Sequence, residues 1–420
     1  MEAVLRRPQA APAEPAAAWR VVVNRAVVVG ALGYFVDIYD LLLFSIVRVQ
    51  SLRAIGVADA DLLPVGVLLL NAQMIGLLLG GILWGVLGDR RGRVSVLFGS
   101  IALYSVANIA NAFVTDVETY AVLRFVAGVG LAGELGAAVT LVAETLPANA
   151  RGYGTAVVGG VGILGAVAAA IVGGAFAWQV AYLVGGGMGL VLLVVRFKLV
   201  ESGLWRSVER SDARKGDLRL LFGHPERLAR YAACVLVGLP IWFVVGVVVT
   251  FSPELSTELR VTGPVSAGDA ILWCYVGLAV GGFGLGAASQ RLRSRWWTVF
   301  VALGLTAATV FATLLARGQS PAAFYGLCAA MGLAAGYWTV FITIAAEQFG
   351  TNLRATVATT VPNFIRGSVV PITLAFSALA PLLGLWRSAM AVGAACLLVS
   401  LVALRSLPET HGKDLDYLET

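Results

Sequence analysis

The stretch "GVLGDRRGRV", residues 85–94, joins one long apolar run to the next through a link of only a few residues. A connection that short, with glycines on both sides of its charges, suits only a tight turn between two helices. Asp89 sits at a helix end beside Arg90, Arg91 and Arg93. A basic loop at the inner face of a membrane would explain the arginines. It would explain neither the acid nor the spacing of the glycines.

Working outward from that turn, apolar runs fill the chain. Of its 420 residues 59% are hydrophobic and 13% charged, and the mean hydropathy is +0.86. A chain so apolar reads as a polytopic helical membrane protein. Runs of about 20 residues predict twelve spans: 26–47, 63–87, 94–114, 120–143, 154–175, 179–200, 230–251, 270–289, 297–316, 322–346, 356–380 and 386–405. The hydrophilic gap 201–229 divides them six and six. The expected organisation is therefore a flexible tail (1–25), a six-helix bundle (26–200), a cytoplasmic linker (201–229), a second six-helix bundle (230–405) and a short tail (406–420). The 49 glycines suit close helix packing in lipid. The Ala/Pro-rich start lacks the apolar core of a signal peptide.

Most of the 30 Lys and Arg fall in the segments on the side of the termini. The opposite side holds only Arg48, Arg53, Arg260, Arg317 and Arg387, so both termini are expected in the cytoplasm. The basic residues line short loops, which argues against a nucleic-acid partner. The four cysteines, Cys234, Cys274, Cys328 and Cys396, lie in apolar runs and read as buried free thiols. No metal site and no cofactor is expected, and the chain is expected to act as a monomer. The "GVGLAG" of residues 128–133 lacks the strand–helix setting of a nucleotide loop and reads as span packing. No enzyme motif or signalling segment points to catalysis or sensing.

The halves also echo one another. "AETLPANAR" (143–151) follows span 4 and "AEQFGTNLR" (346–354) follows span 10, an offset of 203 residues. A parallel repeat of two six-span halves places a binding site between them near mid-membrane.

The turn at 85–94 resembles the G-x-L-x-D-R-x-G-R-[RK] signature of the major facilitator superfamily, departing from it only at Val94. The resemblance implies an all-α membrane fold of twelve transmembrane helices in two pseudo-symmetric six-helix bundles. It also implies that Asp89, Arg90 and Arg93 join an inner-face charge network that steadies the outward-open state. The equivalent turn after span 8, "GAASQRLRSR" (286–295), has Gln290 in place of the acid, so any lock there must differ. "RFVAGVGLAGE" (124–134), "VESGLW" (200–205) and "LPETHGKDLDYLE" (407–419) are similar to segments of sugar porters and of their organic-anion and aromatic-acid:proton symporter relatives. That likeness implies gating roles for Glu144, Arg151, Glu347 and Arg354.

Charges inside spans are costly and usually face the interior of the bundle or a water-filled path. Five stand out: Asp37, Asp40, Arg124, Glu134 and Arg366. Asp37 and Asp40, at i and i+3, share a helix face. Desolvation beside a like charge favours the protonated form of a carboxyl in general, so the two suit a proton carrier. "DIYD" resembles the D-x-x-D of aromatic-acid:proton symporters. By resemblance to proton-coupled sugar porters, Asp40 with Arg124 forms the coupling pair, with Asp37 accessory. Glu134 either joins this relay or bonds across to another helix. Arg366, between Pro362 and Pro371, is a permanent cation that needs an anion. Either an internal acid such as Asp37 or Glu134 supplies it, or a substrate carboxylate does. Kinks are expected at the two prolines.

Aromatic residues at candidate cavity positions are Tyr39, Trp242, Tyr275, Tyr337 and Trp338, with Tyr34 and the polar Asn363 nearby. They would stack on a flat substrate, or simply pack. Span 7 contains no Gln or Asn to bind the hydroxyls of a sugar. The expected function is proton-coupled symport of a small organic anion, a monocarboxylate and in particular an aromatic one, across a bacterial inner membrane by alternating access. The alternatives are a proton-driven exporter of drugs or lipophilic cations, and a sugar or polyol symporter.

Overall fold

The computed structural model describes residues 24–91, 93–134, 146, 151–201 and 223–412, and among these every regular element is helical. Ten helices within this set are long and apolar enough to cross a membrane. The expected spans 3 and 4 are present as helices Arg93–Asn111 and Val117–Leu131. The remaining spans are numbered as above. Span 1 is Arg25–Ala54, span 2 Leu62–Arg91, span 5 Arg151–Ala175, span 6 Trp178–Glu201, span 8 Ala267–Arg291, span 9 Arg295–Leu315 and span 12 Leu385–Ser406. Large apolar side chains such as Val191, Phe283 and Val402 face outward. That arrangement would be unfavourable in water and is neutral in lipid.

Local chemistry sets the helix ends. Asp116 caps span 4 by accepting from the Thr119 amide, and Ser294 caps span 9 by accepting from that of Trp297. Ser320 caps span 10, with Pro321 in the first turn, where a missing N–H costs nothing. Span 1, at 30 residues, is about 45 Å long, well beyond the apolar run 26–47. Its extension buries Arg48 and Ser51 completely instead of leaving them in a loop.

Among the described residues, spans 7, 10 and 11 are broken. Span 7 runs Pro225–Val237 and Leu239–Phe243, then widens into a π-helical turn, Val244–Val249. Span 10 breaks between Ala335 and Trp338. Span 11 breaks between Gly367 and Val369, at Ser368, rather than at the expected prolines. Pro362 lies inside the helix Thr351–Gly367. Pro371 has no N–H for the carbonyl four residues back, that of Gly367. The interruption therefore falls just before the proline, where the Ser368 hydroxyl donates to the Ile365 carbonyl.

The two halves pack alike. In the first, span 1 packs on 5 and 6, span 2 on 4, and span 3 on 4 and 6. In the second, span 7 packs on 11 and 12, span 8 on 10, and span 9 on 10 and 12. The halves meet through span 2 on 11 and span 5 on 8, contacts that a two-fold exchange of the halves interconverts. Two glycine pairs carry this symmetry into detail. A Cβ on Gly76 would strike the Phe125 carbonyl, and one on Gly128 that of Gln73. In the second half Gly277 meets the Ala329 carbonyl and Gly332 that of Cys274 in the same way. Spans 2 and 4, and likewise 8 and 10, thus touch backbone to backbone, a closeness only glycine permits.

Candidate functional site

Among the ten membrane-length helices of the described residues span 1 is the most buried, and it carries Asp37, Asp40 and Arg48 inside the bundle. At its middle, Asp37 of the first half meets Arg366 of the second, Oδ2 to Nη2 at 3.1 Å, and both are buried. Arg366 sits on the last turn before the break in span 11. Its Nε and Nη1, and Oδ1 of Asp37, find no hydrogen-bond partner among the described residues. Tyr34 of span 1 and Tyr275 of span 8 stand within electrostatic reach of Arg366, and Trp338 of span 10 stands beside Tyr34. One helical turn before Arg366, Asn363 donates to the Ala132 carbonyl at 3.2 Å, and its own carbonyl oxygen meets no donor among the described residues. Aromatic rings, one spare amide oxygen and an under-used guanidinium thus converge where the halves meet. Such a group can hold a flat molecule by its faces and an anion at its edge.

One turn along span 1, Asp40 stands beside Asn108 and Arg124. Arg124 donates to Asn108 Oδ1 and to the Tyr182 hydroxyl, each at 3.4 Å, and lies over the Phe44 and Tyr182 rings. Asp40 and Arg124 flank Asn108 without forming a direct ion pair, and among the described residues neither Asp40 oxygen meets a hydrogen-bond partner. A Cβ on Gly185 would collide with the Asp40 carboxylate, so that glycine lets span 6 close over the acid.

Glu134 bonds across to another helix. Arg196 of span 6 grips it with both terminal nitrogens, at 3.2 and 2.9 Å, and the Ser100 hydroxyl donates to it at 3.2 Å. Arg196, inside the expected span 179–200 but not among the five charges singled out from the sequence, is buried in its helix.

Two aromatic candidates are spent on backbone. The Tyr39 hydroxyl donates to the Ala181 carbonyl in span 6, and that of Tyr337 to the Val237 carbonyl at the break in span 7, each at 3.0 Å. Trp242 is buried in the broken part of span 7 with its indole N–H unpartnered.

Sequence reasoning missed the charges at the end of the bundle opposite the termini. Arg48, fully buried, pairs with Glu254 of the other half at 2.7 Å, donates to the Leu62 carbonyl and lies over the Phe251 ring. Its place at the edge of an apolar run made it look like a loop residue. The signal was Glu254, an acid just past span 7 with no local partner.

At the terminal end, Glu144 lies outside the described residues, as do the side chains of Asp89, Arg90, Arg93, Arg151 and Arg354. Glu347 is described and pairs with Arg295 at 2.7 Å. Glu409 accepts from the Ser294 hydroxyl and from the amides of Arg295 and Trp296. At the degenerate turn, Arg295 and Ser294 thus take partners from span 10 and from the segment after span 12. Burial alone would push the Glu409 carboxyl up. The Ser294 hydroxyl and the amides of His411, Arg295 and Trp296 outweigh it and hold the group at about 2.

A bundle of two like halves, bridged at mid-helix by an ion pair with spare bonding capacity, is the architecture of a secondary carrier. The family model of the Major Facilitator Superfamily matches residues 26–365, and the chain belongs to that superfamily: it is a multi-pass membrane transporter of small molecules. It is 30% identical over 324 residues to the 3-(3-hydroxy-phenyl)propionate transporter of Escherichia coli strain K12, covering 74% of this chain and 76% of that one. Over shorter stretches it is similar to the niacin transporter NiaP of Acinetobacter baylyi (36%, covering 32% of this chain and 31% of that one). The 4-hydroxybenzoate transporter PcaK of Pseudomonas putida is likewise similar (29%, covering 42% and 38%). In fold it matches the inward-open xylose transporter XylE of Escherichia coli, with a TM-score of 0.71 over 93% of this chain and 97% of that one at 16% identity.

Proposed function

We propose that this carrier is a proton-coupled symporter of small organic anions, with aromatic monocarboxylates as its substrates. The observation that carries the reading is Arg366: a buried cation at the meeting of the halves, held by one acid through one nitrogen, with two nitrogens that find no hydrogen-bond partner among the described residues and aromatic rings around it. A guanidinium grips a carboxylate through two parallel N–H bonds, and Tyr34, Tyr275 and Trp338 supply faces for a ring. The relatives named for hydroxyphenylpropionate, niacin and hydroxybenzoate point the same way. The acids of span 1 carry the proton, Asp37 against Arg366 and Asp40 across Asn108 from Arg124.

The excess of basic residues on the side of the termini supports cytoplasmic termini, with the chain in a bacterial inner membrane. The Arg48–Glu254 pair then closes the outer face. Rocking of the 26–200 bundle against the 230–405 bundle opens each side in turn.

The test is binding of 3-(3-hydroxyphenyl)propionate by the purified carrier, followed by calorimetry, for wild type and Arg366→Ala. Wild type binds, and the variant is expected to bind about 100-fold more weakly or worse, as for loss of a buried charged hydrogen-bond partner. Unchanged affinity in Arg366→Ala would remove the anion site.

A further inference from the structure

Asn363 stands one turn of span 11 before Arg366, on the same face of the helix and about 4.5 Å back along its axis. Its side chain is 3% exposed. The amide can sit only one way round. Nδ2 donates to the Ala132 carbonyl of span 4 at 3.2 Å, and turning the amide over would set two oxygens against each other. Oδ1 is thereby fixed as an acceptor, and among the described residues nothing donates to it. On the side of span 2 the amide faces Gly81, where a Cβ would stand 3.6 Å from Nδ2, and a glycine has no side-chain donor to offer. A buried amide oxygen held away from any donor is costly, and a donor brought by a ligand removes that cost.

The rings around the anchor lie at the level of this oxygen. Spans 1 and 11, both odd-numbered crossings, run from the side of the termini to the opposite side. Tyr34 comes three residues before Asp37, as Asn363 comes three before Arg366, so both stand on the terminal side of the ion pair. Trp338 of span 10 stands beside Tyr34. A carboxylate held at Arg366 with its ring against Tyr34 and Trp338 therefore directs that ring to the terminal side. One helical turn is comparable with the width of a benzene ring, so the far edge of the ring comes level with Asn363.

We propose that Asn363 is the specificity-determining residue for the ring: a hydroxyl on the substrate's ring donates to Asn363 Oδ1, and the carrier selects hydroxyaryl carboxylates. An unsubstituted ring covers the oxygen and leaves it without a donor. A ring that presents only an acceptor, such as a pyridine nitrogen, sets one lone pair against another. A site that bonds a substrate hydroxyl rejects analogues lacking it because its own buried polar group is then left unpaired. The Ala132 bond gives the selection its direction, since it is the contact that keeps the amide from turning its N–H groups toward the ring.

The inference rests on the Arg366 anchor, and the test separates the two. Calorimetry of the detergent-purified carrier measures the affinities of 3-(3-hydroxyphenyl)propionate, 3-(4-hydroxyphenyl)propionate, 3-phenylpropionate and 3-(3-pyridyl)propionate. In wild type the better of the two hydroxylated acids is expected to bind at least about tenfold more tightly than 3-phenylpropionate, and the pyridyl acid no more tightly than 3-phenylpropionate. Asn363→Leu, close in size but without the oxygen, is expected to keep or improve the affinity for 3-phenylpropionate and to lose the advantage of the hydroxyl. A variant that binds all four acids more weakly by one common factor would give Asn363 a merely structural role and overturn the proposal. Equal wild-type affinities for hydroxylated and plain acids would overturn it even if the variant failed to fold. Equal affinities in wild type with no binding by Arg366→Ala would leave the anchor standing and refute the hydroxyl selection alone. Normal binding of the acids by Arg366→Ala would overturn the anchor reading and this inference with it.

Discussion

Two buried ion pairs, a few turns apart in the same bundle, are built on opposite plans. Glu134 and Arg196 lie within the first half, and they bond through two nitrogens and both carboxylate oxygens, with Ser100 adding a third donor. Asp37 and Arg366 join the two halves through a single 3.1 Å contact and, among the described residues, leave one oxygen and two nitrogens without a hydrogen-bond partner. A saturated pair has nothing to offer a visitor, and breaking it exposes two unsolvated charges at once. An unsaturated pair can change partners at lower cost. The difference separates a brace from a working site, and it can be broken or sharpened by experiment.

The largest expected effect is functional. Arg366→Ala should lose carboxylate binding with only a modest change in thermal stability, because Asp37 can then take a proton; titration and melting of the same sample check both parts. The next is structural. Arg196→Ala should cost about 3–5 kcal/mol by stranding Glu134 in the bundle, seen as a lowered melting temperature, while any folded fraction keeps the pH dependence of binding. Arg196→Ala with unchanged stability would erase the contrast between the pairs.

A smaller effect is expected at the closed end. Arg48→Ala removes a cross-half bond at the end opposite the termini, and Glu254 is partly exposed, so about 1–3 kcal/mol shifts between carrier states rather than between folded and unfolded. Cysteine labelling of residues facing that end, before and after substitution, reads the shift as faster modification.

The smallest effect concerns Glu409. Its carboxyl titrates at about 2, below the ordinary glutamate value. A depressed acid stabilises the fold above its unfolded value and loses that contribution as pH falls toward 2. The melting-temperature gap between wild type and Glu409→Gln should therefore be widest near neutrality and close as the buffer is acidified from about pH 4 downward. A gap that widened on acidification would refute this.

The sequence made the architecture legible because lipid imposes a coarse rule: each crossing needs a long apolar run, and twelve such runs with a 203-residue echo leave few alternatives. It made Asp37, Asp40, Arg124 and Arg366 legible for the same reason, since a charge inside such a run has to earn its place through a partner or a task. It hid Arg48 and Arg196 because both sit near the ends of runs, where a loop cation and a buried one look alike. The overlong helix of span 1 and an acid 206 residues away make Arg48 interior, while Arg196, already inside the expected run 179–200, is held by an acid 62 residues away. Tyr39 and Tyr337 were misleading in another way. An aromatic ring near mid-span shows neither which face it takes nor that its hydroxyl is already used by a carbonyl. The break at Ser368 was displaced from the prolines because a proline disturbs the carbonyl before it, not its own position.

The central claim is that the meeting point of the halves is an anion site. Its most direct test is thermal stabilisation of the purified carrier by panels of aromatic carboxylates, sugars and lipophilic cations, in mildly acid and mildly alkaline buffer, because a ligand that binds the folded state raises its melting temperature by mass action. Stabilisation by the carboxylates, stronger on the acid side and absent in Arg366→Ala, is the predicted result. Stabilisation by cations alone, lost on neutralising Asp37 or Asp40, would contradict it and make the acids of span 1 the substrate site of an exporter.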